Sequence, residues 1–528
     1  MFGRRFWLAF TVIIAIFVAS GNGIAAGEKA GAQAKYLFVF IGDGMGITQR
    51  NAAELYLGKL KGLSRPEDAR LTMNAFPAQG INTTYDLSSV IPDSASAATA
   101  IACGRKTAAA VIGMDADGKT SYENIAELAK KHNRKTGILT TVSLDHATPA
   151  AFYAHVPNRK QMYDISMQLA NSGFDYFAGG QLMAPTDRND PGKPNAIEIA
   201  KKNGYTVAVG RREFEALKPG TGRAIIMSGI VDGDAAMYFT LDQGGDSAHV
   251  TIAEYLLKAI ELLDNPGGFF IMTEGGKIDW ACHANDAATA IHETLALDEA
   301  VAGAVRFYEK HPEETLIVVT GDHETGGMAI GFAGSKYSPS VDRIQYQKSS
   351  YIEFGKKFAE YKKTRAPADA KLEDVMPLIK DNFGLYVMPA DERQALEKEV
   401  SAGKASGASV DAKKASKRAA ERLKFSMALT GLELDALREA FRQSMRDEYE
   451  RSKDDRARFL YGKGEPLVVK LTGILSNKAG LGWASFGHTG APVQTSALGV
   501  GAETFNGYYD QTDIYTRMIA AAGLGTQP

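Results

Sequence analysis

The chain is short of the features that would cross-link it or bind it to a polyanion. Two cysteines in 528 residues, Cys103 and Cys282, exclude a scaffold built on disulfides. They could pair with each other or stand as two buried thiols, and their spacing does not choose between these. Net charge is also scarce, at −2. With no basic surplus to neutralise a phosphate backbone, no nucleic-acid-binding surface is expected, and any phosphate recognition has to be local. No internal repeat is visible.

What is present suits a globular enzyme, with 45% hydrophobic and 23% charged residues. The length allows one large α/β domain with insertions, or two to three domains. At the N-terminus, Arg4 and Arg5 precede an apolar stretch from Phe6 to Ala19 and small residues ending at Ala25 and Ala26. That order reads as a secretory signal over residues 1–26, cleaved after Ala26, which makes the mature protein periplasmic or secreted. An uncleaved anchor is the alternative, for which the apolar run is short. After cleavage no stable membrane anchor is expected.

Beyond the signal, four uninterrupted apolar runs end at polar residues. Tyr36 to Ile41 runs into Asp43, and Gly137 to Val142 is followed by Asp145, His146 and Thr148. Phe269 to Thr273 ends at Glu274, and Leu316 to Thr320 ends at Asp322 and His323. Such runs, separated by helical stretches, predict an α/β fold with a mostly parallel central sheet and helices on both faces. Polar residues just past the strand ends lie where open α/β sheets place their sites. Between 334 and 480 the texture turns charged and helical, which predicts an inserted helical subdomain, a lid or an oligomer contact. Its basic cluster from Lys413 to Lys424 reads as a solvated helix face. The catalytic domain would then comprise 27–333 and 481–528.

Asp43, Asp279, His283, Asp322, His323 and His488 each fall at a strand end or on a Gly-rich turn. Asp279 and His283 are four positions apart, so on a helical turn they face the same way and can clamp one cation. Imidazole and carboxylate without thiolate suit catalytic zinc. The oxygen donors Asp43, Thr148 and Glu274 suit a hard cation such as magnesium. Taken singly, His488 in "FGHTG" would be a loop histidine and Arg159 a surface arginine; their common placement at strand ends and turns argues for a site. In "VIPDSASAATAIACG", Asp93 is a good helix cap and Ser94 opens the first turn, where backbone N–H groups and the helix dipole favour an anion.

"FIGDGMG", "IPDSASAAT", "DHATPAAFYAHVPNR", "TEGGKIDWACH", "TGDHETGG" and "FGHTG", in this order, resemble the motifs of the alkaline phosphatase family. The resemblance covers roughly Lys35 to Thr325 and Trp483 to the C-terminus. It implies an exported phosphomonoesterase working on small phosphomonoesters, with Ser94 as nucleophile and a phosphoserine intermediate. One zinc would be held by Asp279, His283 and His488, a second by Asp43, Asp322 and His323 beside Ser94, and magnesium by Asp43, Thr148 and Glu274. Arg159 would grip phosphate oxygens. His146 and Trp280, at positions that vary within the family, would shape phosphate binding and the choice of metal in the third site. A homodimer is also implied. The alternative is a phosphodiesterase of the same superfamily, against which Ser94 and Arg159 together argue. A sulfatase would need a C/S-x-P-x-R segment, which "DSASA" lacks.

Overall fold

The computed structural model describes residues 33–332, 334 and 339–525. The signal segment expected at 1–26, with its expected cleavage point, lies outside them. Among the described residues no helix is long and apolar enough to cross a membrane.

The strands, in chain order, are β1 (Tyr36–Gly42), β2 (Ala78–Thr83), β3 (Lys135–Thr140), β4 (Tyr176–Gly179), β5 (Thr206–Val209), β6 (Ala224–Met227) and β7 (Phe269–Gly275). They continue with β8 (Thr315–Gly321), β9 (Glu324–Thr325), β10 (Ala329–Ile330), β11 (Leu481–Gly482), β12 (His488–Thr489), β13 (Val493–Gly499) and β14 (Gly507–Asp510). Ten of them form one sheet in the order β14-β2-β13-β8-β1-β7-β3-β4-β6-β5. β1 runs parallel to both β7 and β8, and the parallel pairing continues through β3, β4, β6 and β5. β13 is the exception, antiparallel to β8 and to β2. β9 pairs with β12, and β10 with β11, in two small ribbons.

The apolar runs are buried on both faces because alternate side chains enter different cores. Tyr36, Phe38 and Phe40 of β1 pack into one cluster with the helices Ile252–Leu263 and Ala287–Tyr308. Leu37, Val39 and Ile41 pack into the other with the helices Ser94–Cys103, Met162–Asn171 and Thr512–Ala522. The expected doubly covered, mostly parallel sheet is what forms.

The expected strands differ in their bounds by one or two residues: β1 runs on to Gly42, β8 spans Thr315 to Gly321, β7 runs on to Gly275 so that Glu274 lies within it, and β3 starts two residues earlier and stops at Thr140 rather than Val142. Val142 N donates to Thr140 Oγ1 at 3.0 Å, turning the chain out of the sheet toward the site. Between β10 and β11 the described chain is helical, from Tyr351–Lys363 to Pro466–Ala479, around Phe354, Phe358, Phe383, Leu437 and Leu471. Cys103 and Cys282 are free and buried. The open question of their pairing resolves to two thiols.

Candidate metal centre

Three neighbouring strands, β8, β1 and β7, end in the same register, with Gly42 opposite both Gly275 and Gly321. Their C-terminal ends bring Asp322 and His323, Asp43, and Glu274 side by side. Helix Lys277–His283, which follows β7, adds Asp279 and His283. The β9/β12 ribbon pairs His488 with Thr325. The turn after β1 closes over the cluster at Gly44, whose φ is +68°. A Cβ there would come within 2.9 Å of Asp279 Oδ1 and of Thr325 Oγ1, so only glycine fits.

Ser94 opens the buried helix Ser94–Cys103, capped by Asp93, whose side chain accepts from Ser96 N. The small residues of "SASAATAIAC" let every position of this helix sit in the core. Gly104 ends it with φ +64°, against the ring of Tyr515. Ser94 is 3% exposed and its Oγ stands 3.3 Å from His323 Nε2.

The histidines are aimed by bonds to their outer nitrogens. His283 Nδ1 donates to Phe486 O at 2.5 Å and His488 Nδ1 to Pro92 O at 2.8 Å. Thr325 Oγ1 donates to Asp279 Oδ1 at 2.5 Å and so accepts from His323 Nδ1 at 3.3 Å. Each Nε2 is thereby turned inward toward carboxylates, as in metal-ligating histidines. His323 Nε2 lies 3.3 Å from Asp43 Oδ1 and 3.4 Å from Asp322 Oδ2. His283 Nε2 is 3.3 Å from Asp279 Oδ2, and His488 Nε2 is 3.7 Å from Asp279 Oδ1.

Three groups of ligand atoms each fall within 4.8 Å: Asp279, His323 and His488; Asp43, Asp322 and His323; and Asp43, His146 and Glu274. His323 thus bridges two groups, where the resemblance put it in one. His283 stands beside the first group through Asp279. His146 stands with Asp43 and Glu274 in the third, alongside its bond to Arg159.

The donor set fits cations. Both Asp43 oxygens, Asp322 Oδ2, Glu274 Oε1 and Thr148 Oγ1 are buried and make no hydrogen bond. Buried acceptors without partners are costly, and several together in one pocket call for a positive charge. Burial, then the neighbouring carboxylates, pushes Asp43 well above the usual carboxylate range. Asp322 rises well above it too, because burial outweighs the backbone N–H groups of Gly44 and His323. Burial raises Glu274 to about 7. Asp279 goes the other way, held low by the three histidines despite its burial. His283 can answer Asp279 with a proton, since its bond to that carboxylate outweighs burial and raises it to about 9. His323 cannot, because burial and the neighbouring His488 keep it neutral. A neutral Nε2 lone pair facing two carboxylates is repulsive unless a proton or a cation lies between them, and a bound cation satisfies all of these atoms at once.

Arg159 sits at the rim of the cluster. It donates from Nη1 to Asp93 Oδ2 at 3.0 Å and from Nη2 to His146 Nε2 at 3.1 Å. Burial, then the Arg159 charge, lowers His146 to about 3, which keeps it an acceptor. The Trp280 ring packs edge-on at 6.1 Å from His146. The sequence reading treated Asp93 as a cap alone and missed its hold on Arg159. It also missed Thr325, which stands inside the quoted "TGDHETGG", and the carbonyls of Pro92 and Phe486, whose role no residue type announces.

A family model described as alkaline phosphatase matches residues 34–524. The chain belongs to the alkaline phosphatase family. It is 27% identical to alkaline phosphatase 4 of Bacillus subtilis over 96% of this chain and 94% of that protein. It is 30% identical to alkaline phosphatase 4 of Drosophila melanogaster, where the match covers 57% of this chain and only 58% of the relative. Among solved structures, the cold-active enzyme of a psychrophilic Shewanella superposes with a TM-score of 0.69 at 24% identity, covering 92% of this chain and 99% of that one. A variant of the phosphatase from the Antarctic bacterium TAB5, with Mg bound in its M3 site, superposes at 0.59 and 22% identity, covering 94% of this chain and 100% of that one. The protein is a metal-binding phosphatase, acting on phosphate monoesters as its family does.

Proposed function

We propose that Ser94 is the nucleophile of a two-step phosphomonoester hydrolysis, in an exported enzyme that carries two zinc ions and one magnesium ion. One zinc falls to Asp279, His283 and His488, and the second to Asp43, Asp322 and His323. Magnesium falls to Asp43, Thr148 and Glu274, with His146 alongside. The observation that carries this reading is His323 Nε2 facing the undonated oxygens of Asp43 and Asp322, with Ser94 Oγ 3.3 Å from the same nitrogen. When bound, the cations supply Lewis-acid stabilisation of the attacking and leaving oxygens and ease the loss of protons there.

The chain's own residues do the rest. Helix Ser94–Cys103 holds Ser94 rigid at its N-terminus, where the helix dipole favours the phosphoryl group's negative charge. Asp93 and His146 fix two of the guanidinium nitrogens of Arg159. Its remaining N–H donors are left for the non-transferring oxygens, where charge persists through the transition state. Ser94 Oγ attacks phosphorus, the ester P–O bond breaks, and the alcohol departs with a proton. Water then attacks the phosphoserine, the Oγ–P bond breaks, and inorganic phosphate leaves. Two inversions give net retention at phosphorus.

Ser94→Ala tests the assignment. The variant should keep its metal content while turnover of p-nitrophenyl phosphate falls by about a hundredfold or more. Near-normal activity with metals intact would remove Ser94 from the reaction.

A further inference from the structure

Beside the cluster lies a cavity of about 710 Å³. Small-molecule sites commonly span about 300–1,000 Å³. Its walls include Trp280, His283, Tyr351, Ile352, Tyr461 and Phe486. Helix Lys277–His283 and the segment around Phe486 form one side. Helix Tyr351–Lys363 and the stretch from Tyr461 to Val469, both from the helical region between β10 and β11, form the other.

The position of this cavity follows a row of contacts. Ser94 Oγ lies 3.3 Å from His323 Nε2, the His323 and His488 rings stack at 3.7 Å, and the His488 and His283 rings follow at 5.0 Å. His283 is itself part of the cavity wall. The cavity therefore begins at the end of the cluster remote from Ser94, which is where an in-line displacement sends the leaving group.

A further feature fits a guest molecule. Gly355 lines the cavity from the middle of helix Tyr351–Lys363, and a Cβ built on it would meet nothing within 4 Å. Glycine inside a helix is destabilising relative to alanine, so open space is what this position gains in return.

We propose that the cavity receives the alcohol portion of the substrate, and that the enzyme selects phosphate monoesters of aromatic or extended apolar alcohols over those of small alcohols. This rests on the phosphomonoesterase reading above. The selection comes from apolar surface removed from water between the aromatic walls, while the phosphoryl group is held elsewhere.

The test compares 3-phenylpropyl phosphate with ethyl phosphate, whose alcohols are both primary and of similar acidity, on the metal-replete enzyme. A well-matched apolar pocket gives about tenfold or more in kcat/KM for the larger ester. Gly355→Trp fills the space and should bring the ratio to within about twofold of unity with ethyl phosphate turnover unchanged, while Gly355→Ala preserves the preference. Competitive inhibition by 3-phenylpropylphosphonate and ethylphosphonate should show the same contrast without turnover. Equal kcat/KM for the two esters in the wild type overturns the proposal, whatever the variants do, and leaves the phosphatase reading standing. So does a preference that folded Gly355→Trp retains. Failure to hydrolyse either ester would overturn the underlying reading, and the proposal with it.

Discussion

Asp93→Asn separates two tasks that one carboxylate performs. Asp93 Oδ1 accepts from Ser96 N at 3.1 Å and from Ala110 N at 3.0 Å, while Oδ2 takes Arg159 Nη1 at 3.0 Å. An asparagine keeps the first oxygen as an acceptor. It places an NH₂ group, a donor, where the second oxygen met a guanidinium that has only donors. The helix cap therefore survives, and the stability change should stay below about 1 kcal/mol. Asp93→Ala loses the cap as well, at about 1 kcal/mol more. A hydrogen bond to a charged group contributes about 1.5–3 kcal/mol. Both side chains of this pair remain about a quarter exposed, at 25% and 24%, so solvent screening brings the figure toward the lower end. If that energy serves to hold Arg159 for substrate, kcat/KM falls by about tenfold or slightly more.

Arg159→Ala sets the scale, removing two charge-assisted bonds to the phosphoryl oxygens, about 3 kcal/mol or about a hundredfold. The double variant Asp93→Asn/Arg159→Ala should be no worse than Arg159→Ala alone, because the carboxylate acts only through the arginine. The assay is kcat/KM for p-nitrophenyl phosphate and for its bis-ester on metal-replete enzyme. The monoester should lose more in every variant, since it presents one more anionic oxygen. Additive losses in the double variant would show that Asp93 acts independently of Arg159. Equal losses on monoester and diester would remove Arg159 from phosphate binding.

Removing the metals should lower the melting temperature well beyond any chelator effect on a metal-free control protein. The reason is that Asp43, Asp322 and Glu274 are left buried without the positive charge they face, and each site held at a hundred times its Kd contributes about 2.7 kcal/mol. Calorimetry with and without chelator checks this, and an unchanged melting temperature would contradict it. Lys277→Met should destabilise by about 3–5 kcal/mol, because Lys277 is fully buried and bonded to Asp232 at 2.5 Å and to Met237 O at 2.6 Å. Denaturant unfolding of Lys277→Met and of Lys277→Met/Asp232→Leu should show the double variant recovering part of the loss. His155→Gln should cost more stability at pH 6 than at pH 9. Burial would lower the pKa of His155, but Glu127 Oε1 at 2.9 Å and Gly113 O at 2.8 Å outweigh it and raise the value. A raised pKa contributes stability that is fully present below about 6.5 and is lost as the pH climbs through the folded value. Glu127 is lowered, its bond to His155 outweighing burial, so its share is present above about 4.3 and is lost as the pH falls through its folded value. Urea midpoints at the two pH values decide, and an equal cost at both would contradict the pairing.

The strand ends were legible because a continuous run such as "YLFVF" can only be a doubly buried strand or a buried helix, and its abrupt end at Gly42 and Asp43 marks where the core stops. The ligand types were legible because Asp and His are rarely spent together past such ends. Which histidine faces which carboxylate was not. That depends on ring rotations fixed by the carbonyls of Pro92 and Phe486, and any residue type supplies a carbonyl. The partners of Arg159 were hidden for a related reason. Asp93 announces itself as a cap, and its second oxygen is free to do other work that the cap does not reveal. The cavity was invisible too, because its two walls come from segments such as Trp280 and Tyr461 that only the fold brings together.

The register of three parallel strands links these observations. With Gly42 opposite Gly275 and Gly321, the first polar residues past β8 and β1 and the last carboxylate of β7 emerge at neighbouring strand spacings, about 4.8 Å apart. That spacing sets carboxylates close enough to share cations and too close to remain ionised without them. A one-residue slip of β1 would send Phe38 and Phe40 to the opposite core and Asp43 away from the cluster together, so packing and ligation select the same register. The aromatic and branched side chains of β1, β7 and β8 therefore do more than stabilise the sheet. They hold Asp43, Glu274 and Asp322 at a separation that the chain would otherwise relax by moving apart, and the pull of a bound cation then acts on a site already in place.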